Sequence, residues 1–397
     1  MENQKNIVSN TTITIEGKEY SETELRTRIA EAKRIVVKVG TSTLTYANGR
    51  LNLNRIELIV KQMADLMNQG KEMILVSSGA VGAGLAPLGL KEKPKDIATK
   101  QAAAAVGQGI LLHMYEKMFR EYGHTVGQIL LTKEDSTNRS RYVNLRNTLF
   151  SLLDLRVIPI INENDVVAID EVKIGDNDTL SATVASIVEA DVLLILSDIE
   201  GLYTANPQTD ANATLINTVP EITPHIYEIS GGAGSSRGTG GMYTKIEAAH
   251  IAVNSGVNMV IASGEHADSI RAVLSGELRG TLFVATHSVP HMRKRWMAFG
   301  SRLKGSLIVD AGCAKALQTN GSSLLAVGVK EIIGHFEEGE TISIYFENKE
   351  IARGIVNYSS DDLQRIKGHN STDIADILQI SSAHYEVIHR DNLVILK

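Results

Sequence analysis

From Arg34 onward, short apolar runs alternate with amphipathic stretches, and the turns between them are rich in glycine. The first apolar run, Ile35 to Val39, predicts a strand. The next segment sets Ile56, Ile59, Val60, Met63, Leu66 and Met67 at helical spacing and stops at Gly70, which predicts an amphipathic helix with a left-handed cap. Met73 to Val76 predicts a second buried strand, running into Ser77-Ser78-Gly79-Ala80-Val81-Gly82-Ala83-Gly84. Further strands are predicted at Val126 to Leu131, Val157 to Ile161, Val192 to Leu196 and Asn258 to Ala262, with helices between them. Strand, glycine turn, helix and strand in repetition predict an α/β fold with a mainly parallel sheet covered by helices on both faces. Ligands of such sheets sit outside the carboxyl ends of the strands, so the turns are expected to converge on one crevice.

The flanks read differently. Residues 1–33 are polar, with a weak alternation at Thr11 to Ile15 and a charged helical stretch from Ser21 to Arg34, and read as an N-terminal extension, an appendage to a domain over 34–286. Residues 287–304 are basic and hold the single tryptophan, Trp296, which predicts a linker. After it come closely spaced β runs at Ser306 to Val309, Leu324 to Val327, Thr341 to Phe346, Ile351 to Tyr358 and Leu393 to Leu396, predicting a small β-rich domain over 305–397.

With 397 residues and 43% hydrophobic content the chain can bury a large core, and a formal charge of −6 disfavours a nucleic-acid polyanion as the main partner. Residues 305–397 carry 8 Lys or Arg against 13 Asp or Glu, a net of −5, which argues against a phosphate-tracking surface there. One cysteine, Cys313, excludes an intrachain disulfide and reads as a small structural residue. The N-terminus has no signal-peptide pattern, and no run of about 18 apolar residues occurs, so a cytoplasmic protein without membrane contact is expected.

The candidate chemistry centres on two lysines in glycine-rich surroundings, Lys38 in Val-Val-Lys-Val-Gly-Thr-Ser and Lys245 in Gly-Thr-Gly-Gly-Met-Tyr-Thr-Lys. Fixed ammonium groups and backbone N–H groups freed by glycine supply most of what a protein offers a phosphoryl transfer. The structural alternative is that Lys38 snorkels to a strand end and Lys245 only starts a helix. Beside them lie Asn162-Glu163-Asn164-Asp165 and Gly175-Asp176-Asn177-Asp178-Thr179, which as isolated loops would be turn makers; Asp178 or Thr179 also reads as the cap of a helix running to Val188. Ser197-Asp198 follows a very apolar strand and could face a nucleotide or a cation. Neither the Walker loop nor the G-x-G-x-x-G fingerprint occurs, and none of the eleven histidines is assigned a catalytic role.

In their order and spacing, VVKVGTS, SSGAVGAG, INENDVVA, IGDNDTLSA, SDIEGLYTANP and GTGGMYTK resemble the amino acid kinase superfamily, and INEND with GDND is similar to its glutamate 5-kinase branch. The tail, through Gly321 to Val329, the turn at Gly339 and Gly354 to Tyr358, resembles a PUA domain. The resemblance implies a three-layer αβα sandwich around a mainly parallel eight-stranded sheet. It also implies formation of γ-glutamyl phosphate from ATP and L-glutamate with Mg²⁺, the first step of proline biosynthesis, with proline as inhibitor and a homo-oligomeric enzyme. Carried over residue by residue, it places Lys38 and Lys245 on the transferred phosphoryl group, with Asp178 organising them. Ser78, Asp165, Asn177 and Asn162 would hold glutamate; Ser197, Asp198, Lys38 and the turn Thr239, Gly240, Gly241, Met242, Tyr243, Thr244 and Lys245 would hold ATP. No protein ligand to the metal is assigned. Ser77 stands where the family has threonine, Arg237 precedes the phosphate turn, and residues 1–33 extend beyond the usual start. The alternatives left open are a kinase of acetylglutamate, aspartate or carbamate, and an RNA-binding role through the PUA-like tail.

Overall fold

A computed structural model of the chain describes residues 12–15, 17–46, 50–92, 94–167, 177–207, 209–231, 241–285, 303–320, 322–347, 349–380 and 385–395. The chain divides into two compact units, Met1–His287 and Ser288–Lys397.

In the first unit, β1 (Thr12–Ile15) and β2 (Lys18–Ser21) form an antiparallel hairpin leading into α1 (Glu22–Ala30). There follow β3 (Arg34–Val39), α2 (Thr41–Leu44), α3 (Leu53–Asn68), β4 (Glu72–Ser77), α4 (Ala80–Leu85) and α5 (Ile97–Glu121). Next come β5 (Val126–Leu131), α6 (Lys133–Thr137), α7 (Arg139–Asp154), β6 (Ile158–Glu163), α8 (Asn177–Ile187) and β7 (Val192–Ser197). The unit closes with β8 (Thr218–Val219), α9 (Pro224–Ile229), α10 (Met242–Asn254), β9 (Asn258–Ser263), α11 (Ser269–Leu274) and β10 (Thr281–Phe283). The main sheet has eight strands in the order β5-β6-β4-β3-β7-β9-β10-β8. All neighbours are parallel except β9 and β10.

Strand periodicity sorts side chains between two cores. Ile35, Val37 and Val39 of β3, Met73 and Leu75 of β4, and Val192, Leu194 and Leu196 of β7 share one core with residues of α1, α3, α5 and α11. Val36, Ile74, Val76, Leu193 and Ile195 face the other, packed with residues of α7, α8 and α10. The central strands are therefore apolar on both faces, which is why they read as continuous apolar runs. This is the three-layer α/β arrangement expected, and each strand expected in this sheet is found within a residue or two of its predicted bounds. The short β8 and β10 were not anticipated; two or three residues are too few to show a period.

The N-terminal segment corrects the reading of an appendage. Ser21 and Glu24 make a capping box, with Ser21 N–H donating to Glu24 Oε2 at 2.7 Å and Glu24 N–H to Ser21 Oγ at 3.2 Å. Leu25 and Ile29 are fully buried in the first core, with Ile15 beside them. Arg26 is buried too, and its guanidinium donates to Arg279 O at 2.9 Å, Asn217 O at 2.8 Å and Gly280 O at 3.0 Å. Charged residues mask this contact in the sequence because the helix buries only a narrow stripe.

The second unit has its own core and a five-stranded sheet. Its strands are β11 (Gly305–Val309), β12 (Val329–Gly334), β13 (Thr341–Phe346), β14 (Lys349–Ile355) and β15 (Leu393–Ile395), in the order β12-β11-β13-β14-β15. Among the described residues, three helices accompany them: α12 (Ala311–Asn320), α13 (Ser360–Ile366) and α14 (Ile374–Leu378). The strand expected at Leu324 to Val327 is instead a single bridge between Leu324 and Ile388 followed by a 3₁₀ turn at Ala326–Gly328. Its apolar residues enter the core from a turn, so composition alone misassigns it. Burial, and secondarily Asp310, push the Cys313 thiol up to about 11, consistent with its structural reading. Among the described residues, no helix is long and apolar enough to cross a membrane.

Candidate active site

The turns after β3, β4, β6 and β7 leave the same edge of the sheet, because these strands are parallel neighbours in the order β6-β4-β3-β7. Lys38 shares the parity of Val36, so it leaves β3 on the face covered by α8 and α10. There its Nζ lies 2.6 Å from Asp178 Oδ1, and Lys245 Nζ lies 3.1 Å from Asp178 Oδ2. Thr244 Oγ1 also donates to Asp178 Oδ2, at 3.1 Å. Relative exposures of 6% for Lys38, 5% for Lys245 and 0% for Asp178 make this a buried trio. Burial alone would push the Asp178 carboxyl up, but Lys38 and then Lys245 outweigh it and hold it below the usual carboxylate range. Asp178 thus does not cap α8; its carboxylate ties the strand lysine to the helix lysine.

Both lysines stand beside helix starts, the positive end of a helix dipole. Gly40 precedes α2, and Gly241 precedes α10, the helix that carries Met242, Tyr243, Thr244 and Lys245 in its first turn. The trio carries one more positive than negative charge, a setting suited to an anion.

A second cluster of amides and hydroxyls lies at the ends of β4 and β6. Asn177 Nδ2 donates to Ser78 Oγ at 2.8 Å and to Asn162 Oδ1 at 2.9 Å, and reaches Ser77 O at 3.4 Å. Gly79, with φ +100°, turns the chain after Ser78 in a conformation that disfavours a side chain. Asp165 is half-buried in the turn just beyond β6. On the far side of β3, Ser197 Oγ donates to Asp198 Oδ1 at 3.1 Å, and Ser197 O accepts from Gly264 N–H at 2.7 Å. Ser197 is buried and Asp198 exposed. Thr239, Gly240, Gly175, Asp176 and Arg237 lie outside the described residues.

The structure therefore brings Lys38, Asp178, Lys245 and Thr244 into direct contact, joins Ser78, Asn162 and Asn177 in one network, and sets Asp165, Ser197 and Asp198 at the same sheet edge. The sequence pattern of the amino acid kinase family matches residues 33–263, and that of the PUA domain residues 305–378. The glutamate 5-kinase of Moorella thermoacetica is 52% identical over 377 residues, 95% of this chain and 100% of that protein. Those of Thermoanaerobacter sp. (strain X514) and Carboxydothermus hydrogenoformans are 52% and 47% identical, covering 92% and 94% of this chain and 98% and 100% of their own lengths. The chain belongs to the amino acid kinase family, in its glutamate 5-kinase branch.

Within that family frame, two contacts escape a reading of motifs. Gln108 of α5 accepts from Asn162 Nδ2 at 2.8 Å, and Tyr115 OH lies 2.9 Å from Ser77 Oγ, both hydroxyls being buried. Burial pushes the Tyr115 phenol up, against the opposing hydrogen bond to Ser77, so it stays neutral. Their only sequence signal is seven-residue spacing, which places two polar residues on one face of a helix otherwise rich in alanine.

Proposed function

We propose that this chain transfers the γ-phosphoryl group of ATP to the γ-carboxylate of L-glutamate, forming γ-glutamyl phosphate and ADP for proline biosynthesis. The observation that carries this reading is the buried Lys38–Asp178–Lys245 trio, with its ion pairs of 2.6 and 3.1 Å, in a chain of this family. A carboxylate with an unperturbed pKa of about 4.3 is ionised at neutral pH and attacks phosphorus without a general base. One of its oxygens bonds to the γ-phosphorus as the bond to the β–γ bridging oxygen breaks, and that electron pair leaves with ADP. The task left to the protein is to bring two anions together, and Lys38 and Lys245 would neutralise the phosphoryl oxygens while Asp178 holds both ammonium groups in place.

ATP would be held by Ser197, Asp198, Lys38 and the Thr239 to Lys245 turn, whose described part opens α10. Mg²⁺ would be carried chiefly by phosphate oxygens, where it adds charge neutralisation. Glutamate would occupy the Ser78, Asn162 and Asn177 network, with Asp165 pairing its α-ammonium group. Proline has the same α-carboxylate and ammonium but no γ-carboxylate, so in this reading it competes with glutamate. Self-association into a homo-oligomer belongs to the same reading and is checked by light scattering.

The test is hydroxylamine trapping of acyl phosphate with ATP and Mg²⁺. L-Glutamate is expected to give acyl hydroxamate, with much less from N-acetylglutamate or aspartate, and proline is expected to raise the glutamate KM without lowering kcat. Equal or better turnover of N-acetylglutamate would overturn the assignment, and inhibition that glutamate cannot relieve would place proline elsewhere.

A further inference from the structure

The Ser78–Asn177–Asn162 network ends on a helix outside the sheet edge, where Gln108 accepts from Asn162. α5 and α4 touch backbone to backbone: a Cβ at Gly107 would sit 1.8 Å from Ala80 O, and one at Gly84 would sit 1.9 Å from Ala103 O. Glycine at both positions is what allows this approach. Gln108, adjacent to Gly107, is thereby held against Asn162 at the end of β6, and Tyr115 on the same helical face is held against Ser77 at the end of β4.

A side-chain amide has one accepting and one donating end, so the orientation of one member of a chain of amides fixes the next. Gln108 Oε1 takes Asn162 Nδ2 at 2.8 Å. Asn162 Oδ1 is then turned to the Glu163 N–H and to Asn177 Nδ2, each at 2.9 Å. Asn177 Nδ2 also donates to Ser78 Oγ at 2.8 Å. Two groups are left over at the crevice. Asn177 keeps Oδ1, an acceptor that receives no hydrogen bond from the described residues, and Ser78, already accepting at Oγ, keeps its own O–H to donate. An acceptor and a donor side by side match the ammonium and carboxylate of a free α-amino acid. An N-acylated amino acid offers no cation to the acceptor, and the reversed amide order would meet an ammonium group with N–H.

We infer that Gln108 is a positioning and specificity-determining residue: by accepting from Asn162 Nδ2 it holds in place the amide order, fixed by the Glu163 N–H, through which Asn162 and Asn177 recognise the charged head of the acceptor amino acid. This rests on the glutamate reading above.

Gln108→Met keeps the length of the side chain and removes its acceptor; Gln108→Ala removes the acceptor by shortening; Gln108→Glu keeps an oxygen for Asn162. Glutamate and ATP are each varied in the hydroxylamine assay, with thermal unfolding measured in parallel. For Gln108→Met and Gln108→Ala the glutamate KM is expected to rise about tenfold, as for a lost part-buried hydrogen bond, with the ATP KM within about twofold. The preference for L-glutamate over N-acetylglutamate falls with it, and Gln108→Glu recovers most of the loss. An unchanged glutamate KM in both acceptorless variants, an equal rise in the ATP KM, or a Gln108→Glu no better than Gln108→Met would each overturn the role of Gln108. Wild-type protein without activity on L-glutamate would instead remove the glutamate reading itself.

Discussion

A buried carboxylate shared by two buried ammonium groups is tolerable only while each member keeps its partner. Asp178→Asn preserves shape but leaves Lys38 and Lys245 facing a neutral amide. It is expected to lower kcat on the order of 10²-fold, as for loss of a preorganised charge, and Lys38→Ala and Lys245→Ala should do the same. At neutral pH it should also destabilise the fold by about 3 kcal/mol, the scale for breaking a buried pair. The Asp178 carboxyl is held below its ordinary value by the two lysines, so its stabilisation is fully present above the unfolded value of about 3.9 and is lost as pH falls through the lower folded value. The gap in unfolding temperature between wild type and Asp178→Asn should therefore be constant from neutral pH down to about 4 and close below it. A gap independent of pH down to the acid unfolding of the wild type would show that Asp178 does not hold its charge through these ion pairs.

Helix α1 shows where apolar patterning stops being informative. Only Leu25 and Ile29 of its aliphatic side chains need burial, and its third anchor, Arg26, looks like a surface residue until the carbonyls of Asn217, Arg279 and Gly280 are seen around it. Leu25→Ala or Ile29→Ala should cost about 2–5 kcal/mol, measured as a lowered urea midpoint at constant slope. An unchanged midpoint in both would return this segment to an appendage. By contrast, β3, β4 and β7 were legible because both of their faces are buried, and Lys38 was legible because it interrupts such a run. Gln108 was not, because its meaning depends on which residue β6 delivers to α5. No periodicity within α5 encodes that. The segments from Ala168 to Asp176 and from Gly232 to Gly240, which carry motif residues, lie outside the described residues.

At the scale of the molecule, the separation of chemistry from the tail has a physical basis. Among the described residues, the two cores that flank the main sheet draw on residues from Ile13 to Val284, and the third on residues from Leu307 to Ile395. Every side chain assigned to phosphoryl transfer or to the acceptor network belongs to the first unit, from Lys38 to Lys245. A closed core and a complete sheet are what a unit needs to fold by itself. The chain ending before Gly305 is therefore expected to fold, to melt cooperatively, and to form acyl hydroxamate from L-glutamate with KM values of the same order as the full chain. The isolated tail, with its net charge of −5 over residues 305–397, should show no salt-dependent binding to a generic RNA. A truncated first unit that gives a native circular dichroism spectrum yet forms no acyl phosphate would overturn the modular reading, because it would require the tail to complete the site. Loss of fold on truncation would show instead that the first unit's stability depends on the tail.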